Sequence, residues 1–249
     1  MDLNIIIFIV IGFIAQMIDG CLGMAYGVST TTFFLSLGIT PAIASACVHT
    51  SEMFTTAVSG ISHFKFGNVD RRIFLRLLIP GVIGGVLGAY ILTELPGDKL
   101  RPFVSIYLLI MGLMILIKVF KKTQKAERKT RLIPLGLVGG FFDAIGGGGW
   151  GPIVTTTLVA NGNHPRFAIG SVNSAEFFVT VAESVTFFIT IGALLVQHWE
   201  KIVGLMIGGV LAAPLAAYAC KKIPPRKLML LVGLLIIILS LRTIYKAFL

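Results

Sequence analysis

Charge is scarce in this sequence. Only 13% of its 249 residues are Asp, Glu, Lys or Arg, and 56% are hydrophobic, whereas a soluble globular domain carries about 25% charged residues. That shortage excludes a fold whose surface is solvated by water. Cysteine is equally sparse. Cys21, Cys47 and Cys220 have no metal-ligand spacing and sit within or beside apolar segments, which argues against a disulfide framework or a thiolate zinc site. Strict apolar/polar alternation over segments of about ten residues is missing, so a membrane β-barrel is excluded. No basic residue precedes the first apolar run, since Met1-Asp2-Leu3-Asn4 lacks the positive n-region of a signal peptide. The run is expected to remain in the mature protein. Neither a Gly-x-Ser-x-Gly elbow nor a His-Glu-x-x-His helix occurs. No catalytic residue, cofactor or metal is therefore expected.

What fills the chain instead is long apolar stretches: Asn4 to Ile18, Ile73 to Leu92, Pro102 to Ile117, Ile202 to Ala219 and Leu228 to Leu241. Crossing a bilayer takes about 20 helical residues, and backbone polar groups cannot stay unpaired in hydrocarbon. The expected fold is all-α and polytopic, with the lipid bilayer as its partner. The net charge of +10 could suggest nucleic acid. The basic residues, however, lie in short stretches between apolar runs, as the positive-inside rule requires of cytoplasmic loops.

The sequence repeats itself. Shifted by 124 residues, Asp19, Gly23, Gly27, Thr31, Thr32, Gly38, Pro41, Ala44, Val48, Glu52, Phe54 and Thr56 meet identical residues, from Asp143 and Gly147 through Glu176 to Thr180. Twelve identities in 38 positions exceed what residue frequencies of about 5–10% would give by chance. Two transmembrane repeats are expected, 1–117 and 132–249, joined by a basic linker, 118–131. Three stretches, Lys65 to Arg76, Lys118 to Arg131 and Lys221 to Lys227, hold 15 of the 21 basic residues. If all three are cytoplasmic, each half crosses the membrane an odd number of times. The halves are then inverted and both termini lie outside.

Similarity concentrates at two interruptions. One is Asp19 to Gly27, matched by Asp143 to Gly151 with four successive glycines from Gly146; the other is Gly38-Ile39-Thr40-Pro41, matched by Gly162-Asn163-His164-Pro165. Glycine costs about 1 kcal/mol inside a helix, and Gly followed by Pro at a first helical position signals stop and restart. Irregular backbone at membrane depth survives only where protein or a cavity surrounds it, and paired breaks point to a transporter's substrate site. Gly84-Gly85 and their mates Gly208-Gly209 are expected instead to pack helices closely, within the chain or in a homodimer.

After Pro41 a helix aligns Ser45, His49, Glu52, Thr56, Ser59 and His63 on one stripe; after Pro165 it aligns Ile169, Asn173, Glu176, Thr180 and Glu183. Ionisable groups inside spanning helices are costly and usually face an interior path. Glu52, Glu176 and Glu183 become candidates for proton coupling. The competing role is helix adhesion, with His49 paired to Glu52 one turn away.

The Asp19-Gly20-x-x-Gly23-x-x-x-Gly27 segment, the Gly-x-x-Pro restart, Thr50-Ser51-Glu52 and their duplicates, including Asn173-Ser174-x-Glu176, resemble the TauE/SafE family of sulfite-exporter-like permeases over essentially the whole chain. The resemblance implies secondary transport of small sulfur-containing anions, sulfite or organosulfonates, across a prokaryotic plasma membrane. It puts the substrate among Asp19, Cys21, Gly23, Gly27, His49, Thr50, Ser51 and Glu52 of the first half and Asp143, Gly147, Gly151, Asn173, Ser174 and Glu176 of the second. Half-helix N-termini after the breaks would attract an anion, with Arg166 to steer it. An intramembrane enzyme and a passive anion channel are the rival classes.

Overall fold

The computed structural model describes residues 3–22, 24–120, 130–219 and 225–248. Gly23, the side chain of Cys21, most of the basic linker and the stretch 220–224 lie outside the described residues. The apolar runs form helices throughout. The first half holds α1 (Leu3–Leu22), α2 (Tyr26–Ser36), α3 (Pro41–Lys65), α4 (Arg71–Glu94) and α5 (Gly97–Phe120). The second holds α6 (Leu132–Gly146), a π-helical turn (Gly151–Thr155) running into α7 (Thr156–Ala160), then α8 (Pro165–Val196), α9 (Trp199–Ala219) and α10 (Pro225–Phe248). No strand occurs among the described residues. The chain is an all-α, polytopic membrane protein. Among those residues four helices, within α4, α5, α8 and α10, are long and apolar enough to span a bilayer. Burial is arranged accordingly: Ile79, Phe103, Phe188 and Leu231 are exposed, while His49, Asp143 and Glu183 are enclosed.

Local sequence dictates the helix ends. α2 and α7 each stop before a glycine with positive φ, Gly38 (+89°) and Gly162 (+94°), and α3 and α8 each begin at the proline three residues later. The stop and restart expected at these points is present in both halves. The first interruption is narrower than expected. α1 continues through Asp19 to Leu22 and α6 through Asp143 to Gly146, so both aspartates occupy last helical turns.

Offset by the repeat, α1 corresponds to α6, α3 to α8, α4 to α9 and α5 to α10. Packing follows that correspondence. α1 lies on α9 and, equivalently, α6 lies on α4, so the halves interlock. α3 packs on its own counterpart α8, and α5 on α10. Along the α3–α8 contact, Thr56 meets Thr180, Gly60 meets Ser174, and Asn68 beyond the end of α3 meets Gly170. One helix ascends as the other descends. Counterparts running antiparallel is the geometry that inversion requires.

The paired glycines permit the interlock. A Cβ at Gly84 would overlap the Leu137 carbonyl of α6, and one at Gly208 would overlap the Ile9 carbonyl of α1. Small residues let membrane helices approach to backbone contact. Both sites are occupied within the chain, which removes these faces from any homodimer contact.

Candidate site at the crossed helix breaks

The two breaks touch one another. A Cβ on Gly27 would stand 2.5 Å from Gly148 Cα, and the Thr31 hydroxyl donates to the Gly147 carbonyl at 2.7 Å. Residues of the two halves thus meet where each helix is interrupted. Around this crossing is a small cavity lined by Asp19, Tyr26, Gly27, Glu52, Asp143, Gly151 and Glu176, with Gly148 between the halves. Its free space is about 10 Å3, room for about one water. Glu52 and Glu176, the candidates for proton coupling, line the same cavity from α3 and α8. Among the described residues no lysine or arginine lines it.

The aspartates have a structural task. Asp143 Oδ1 accepts from the Gly149 and Trp150 amides at 2.6 and 2.9 Å, and Asp19 Oδ1 accepts from the Tyr26 amide at 3.3 Å. Tyr26 and Trp150 are repeat mates, so each break is bridged in the same way. A carboxylate of the chain itself therefore holds amides at which the sequence led us to expect an anion. The aromatic mates differ in identity, although both are large rings in the same register. Each anchors its own end: Tyr26 Oη donates to the Leu205 carbonyl at 3.4 Å, and Trp150 Nε1 to the Val172 carbonyl at 3.1 Å. Trp150→Phe keeps a buried ring but removes the indole donor from that carbonyl, which keeps its own helical amide. It is expected to cost about 1 kcal/mol, read as a lowered thermal midpoint in detergent; an unchanged midpoint would show the bond to be idle.

His49 does not pair with Glu52, contrary to the adhesive alternative. Its Nε2 stands 3.0 Å from Glu183 Oε2 and 3.6 Å from Asp143 Oδ2, all three groups fully enclosed. Its Nδ1–H donates to the Ser45 carbonyl at 2.8 Å. This triangle joins α3, α6 and α8. Sequence spacing offered no signal for it, because the mates of His49 and Glu183 are Asn173 and Ser59.

Other expected substrate residues are placed differently. The hydroxyls of Thr50, Ser51 and Ser174 donate to carbonyls one turn back, of Ala46, Cys47 and Gly170. Asn173 reaches toward His63 Nε2 at 3.5 Å. Arg166 is exposed and donates to Asn68 Oδ1 and the Phe66 carbonyl, which ties the α3–α4 connection to α8 outside the carboxylate cavity. Ser174 lines a second, larger cavity of about 720 Å3 between α3, α4 and α8. Its walls are mainly apolar, including Ile61, Phe64, Phe74 and Phe178, and it shares no lining residue with the first.

Known proteins resemble the chain over most of its length. Residues 8–243 match the family described as Sulfite exporter TauE/SafE. The chain is 45% identical over 249 residues to the Probable membrane transporter protein YtnM of Bacillus subtilis (strain 168), a match covering 97% of this chain and 83% of that protein. It is 27% identical over 190 residues to the Probable membrane transporter protein ORF9 of Sinorhizobium sp, covering 74% and 67%. No solved structure matches.

Proposed function

This chain belongs to the sulfite exporter TauE/SafE family, and from that premise we propose that it is a secondary transporter of small sulfur-containing anions, coupled to protons. In this reading it sits in a prokaryotic plasma membrane, with linker 118–131 cytoplasmic and both termini outside. The supporting observation is the crossing of two equivalent helix breaks inside one cavity faced by carboxylates from both halves. Irregular backbone at the interface of inverted repeats is where alternating-access carriers bind cargo. The relatives carry the name membrane transporter, which supports the class and leaves the cargo to chemistry.

That chemistry demands co-movement of positive charge. Asp19, Glu52, Asp143 and Glu176 line the cavity, Glu183 and His49 stand behind it, and Tyr26 adds a phenol. An anion entering among four carboxylates is repelled unless protons enter with it. Glu52 and Glu176 carry those protons, because among the described residues neither carboxylate is held by an amide of the breaks. Labelled sulfite flux into proteoliposomes, with and without a pH gradient, tests the reading. Glu52→Gln and Glu176→Gln are each expected to lower gradient-driven flux at least about 100-fold, within what loss of a general acid or base removes, while the protein stays folded. Flux indifferent to the gradient and retained in both variants overturns it.

A further inference from the structure

His49, Asp143 and Glu183 come from three helices and both halves, yet one donor atom of each lies within 4.8 Å of the other two. The His49 and Asp143 side chains are each held on one side and free on the other. The His49 Nδ1–H is taken by the Ser45 carbonyl, and the Ser45 hydroxyl in turn donates to the Ala144 carbonyl at 2.5 Å. Asp143 Oδ1 takes two backbone amides. The opposite atoms, His49 Nε2 and Asp143 Oδ2, have no hydrogen-bond partner, and neither has either oxygen of Glu183. Buried polar atoms are rarely left so. Metal-binding histidines characteristically donate their second N–H to a carbonyl or carboxylate, which turns the other nitrogen to the ion.

Charge points the same way. Two ionised carboxylates beside a neutral imidazole would carry a double negative charge into a dry interior, at high desolvation cost. A divalent cation cancels it. The donor set, one nitrogen and two oxygens, suits a first-row transition ion better than calcium or magnesium, which favour oxygen alone.

We propose that His49 Nε2, Asp143 Oδ2 and the Glu183 carboxylate bind a divalent first-row transition cation, Zn2+ being the probe, with the remaining position open to water. The ion fastens α3 of the first half to α6 and α8 of the second. Glu183 then serves as a ligand rather than as the proton carrier that its place in the stripe suggested. The proposal is independent of the cargo, and its readout is binding rather than flux.

The full chain, purified in detergent, is stripped with chelator and reloaded with Zn2+ alone. Expected are about one zinc per chain by elemental analysis, a higher thermal midpoint on reloading, and an X-ray absorption shell of nitrogen and oxygen with imidazole scattering. Glu183→Gln and His49→Gln should each weaken zinc binding at least about 10-fold. Substoichiometric zinc with an unchanged midpoint overturns the proposal and leaves an imidazolium clasped by two carboxylates. Undiminished binding in both variants, or a sulfur shell from Cys47, overturns it as well. Should the variants fail to fold, the absorption shell of the unaltered protein decides.

Discussion

Gly148→Val is expected to abolish recovery of folded protein. Gly148 has φ +144°, a conformation that is nearly glycine's alone and costs other residues about 1–3 kcal/mol. A Cβ there would also overlap the Val28 amide and the Gly27 backbone of the opposite break. Overpacking of this kind costs about 1–3 kcal/mol more, and here the obstacle is backbone rather than a side chain that could turn away. The combined loss, about 4 kcal/mol, approaches the whole stability of many domains. Gly38→Ala supplies the contrast. Gly38 also has positive φ, +89°, but nothing lies within 4 Å of the added carbon, so only the left-handed strain of about 1–2 kcal/mol applies. Size-exclusion profiles and thermal unfolding in detergent separate the two. Gly148→Val eluting and unfolding like the unaltered protein would mean that the breaks do not cross as described.

That contrast explains what was legible in the sequence. A backbone that must approach another backbone, or turn left-handed, can be built from few residue types. The breaks therefore left matching glycines and prolines in both halves, and the restarts at Pro41 and Pro165 fall where those residues place them. Scarcity of charge in the spans made Glu52 and Glu176 conspicuous, and both line the crossing. The reversed course of α3 against α8 agrees with the inversion inferred from loop charges.

The His49, Asp143 and Glu183 triangle was hidden for an equally physical reason. His49 and Glu52 are three positions apart on α3, which suggested a local pair. The ring instead leans toward α6 and α8, an outcome of interlocking rather than of helix periodicity. Only Asp143 of the three has an identical mate, so the repeat could not reveal the set. Serine and threonine misled in the opposite direction. Near a helix break they read as cargo contacts, yet the hydroxyls of Thr50, Ser51 and Ser174 each bond to the carbonyl one turn earlier, the habit of these residues in apolar helices.

Asp143 and Asp19 are identical in the repeat and are expected to respond unequally to substitution. Asp143 is enclosed and takes two short amide bonds, from Gly149 and Trp150, whereas Asp19 is partly buried and takes one bond of 3.3 Å from Tyr26. Asp143→Ala leaves two buried amides unsatisfied at about 1–3 kcal/mol each, so a loss of about 4 kcal/mol is expected. Asp19→Ala removes one long bond, and about 1 kcal/mol is expected. Asp143→Asn separates acceptor from charge. Its amide oxygen can keep both backbone bonds, so in the chelator-stripped protein stability should change by about 1 kcal/mol or less while gradient-driven flux falls at least about 10-fold. Thermal midpoints in detergent, with flux measured on the same preparations, provide the comparison. Equal losses at the two aspartates would show that the break of the first half is held as firmly as that of the second. Full flux in Asp143→Asn would show that this carboxylate caps a helix and takes no part in transport.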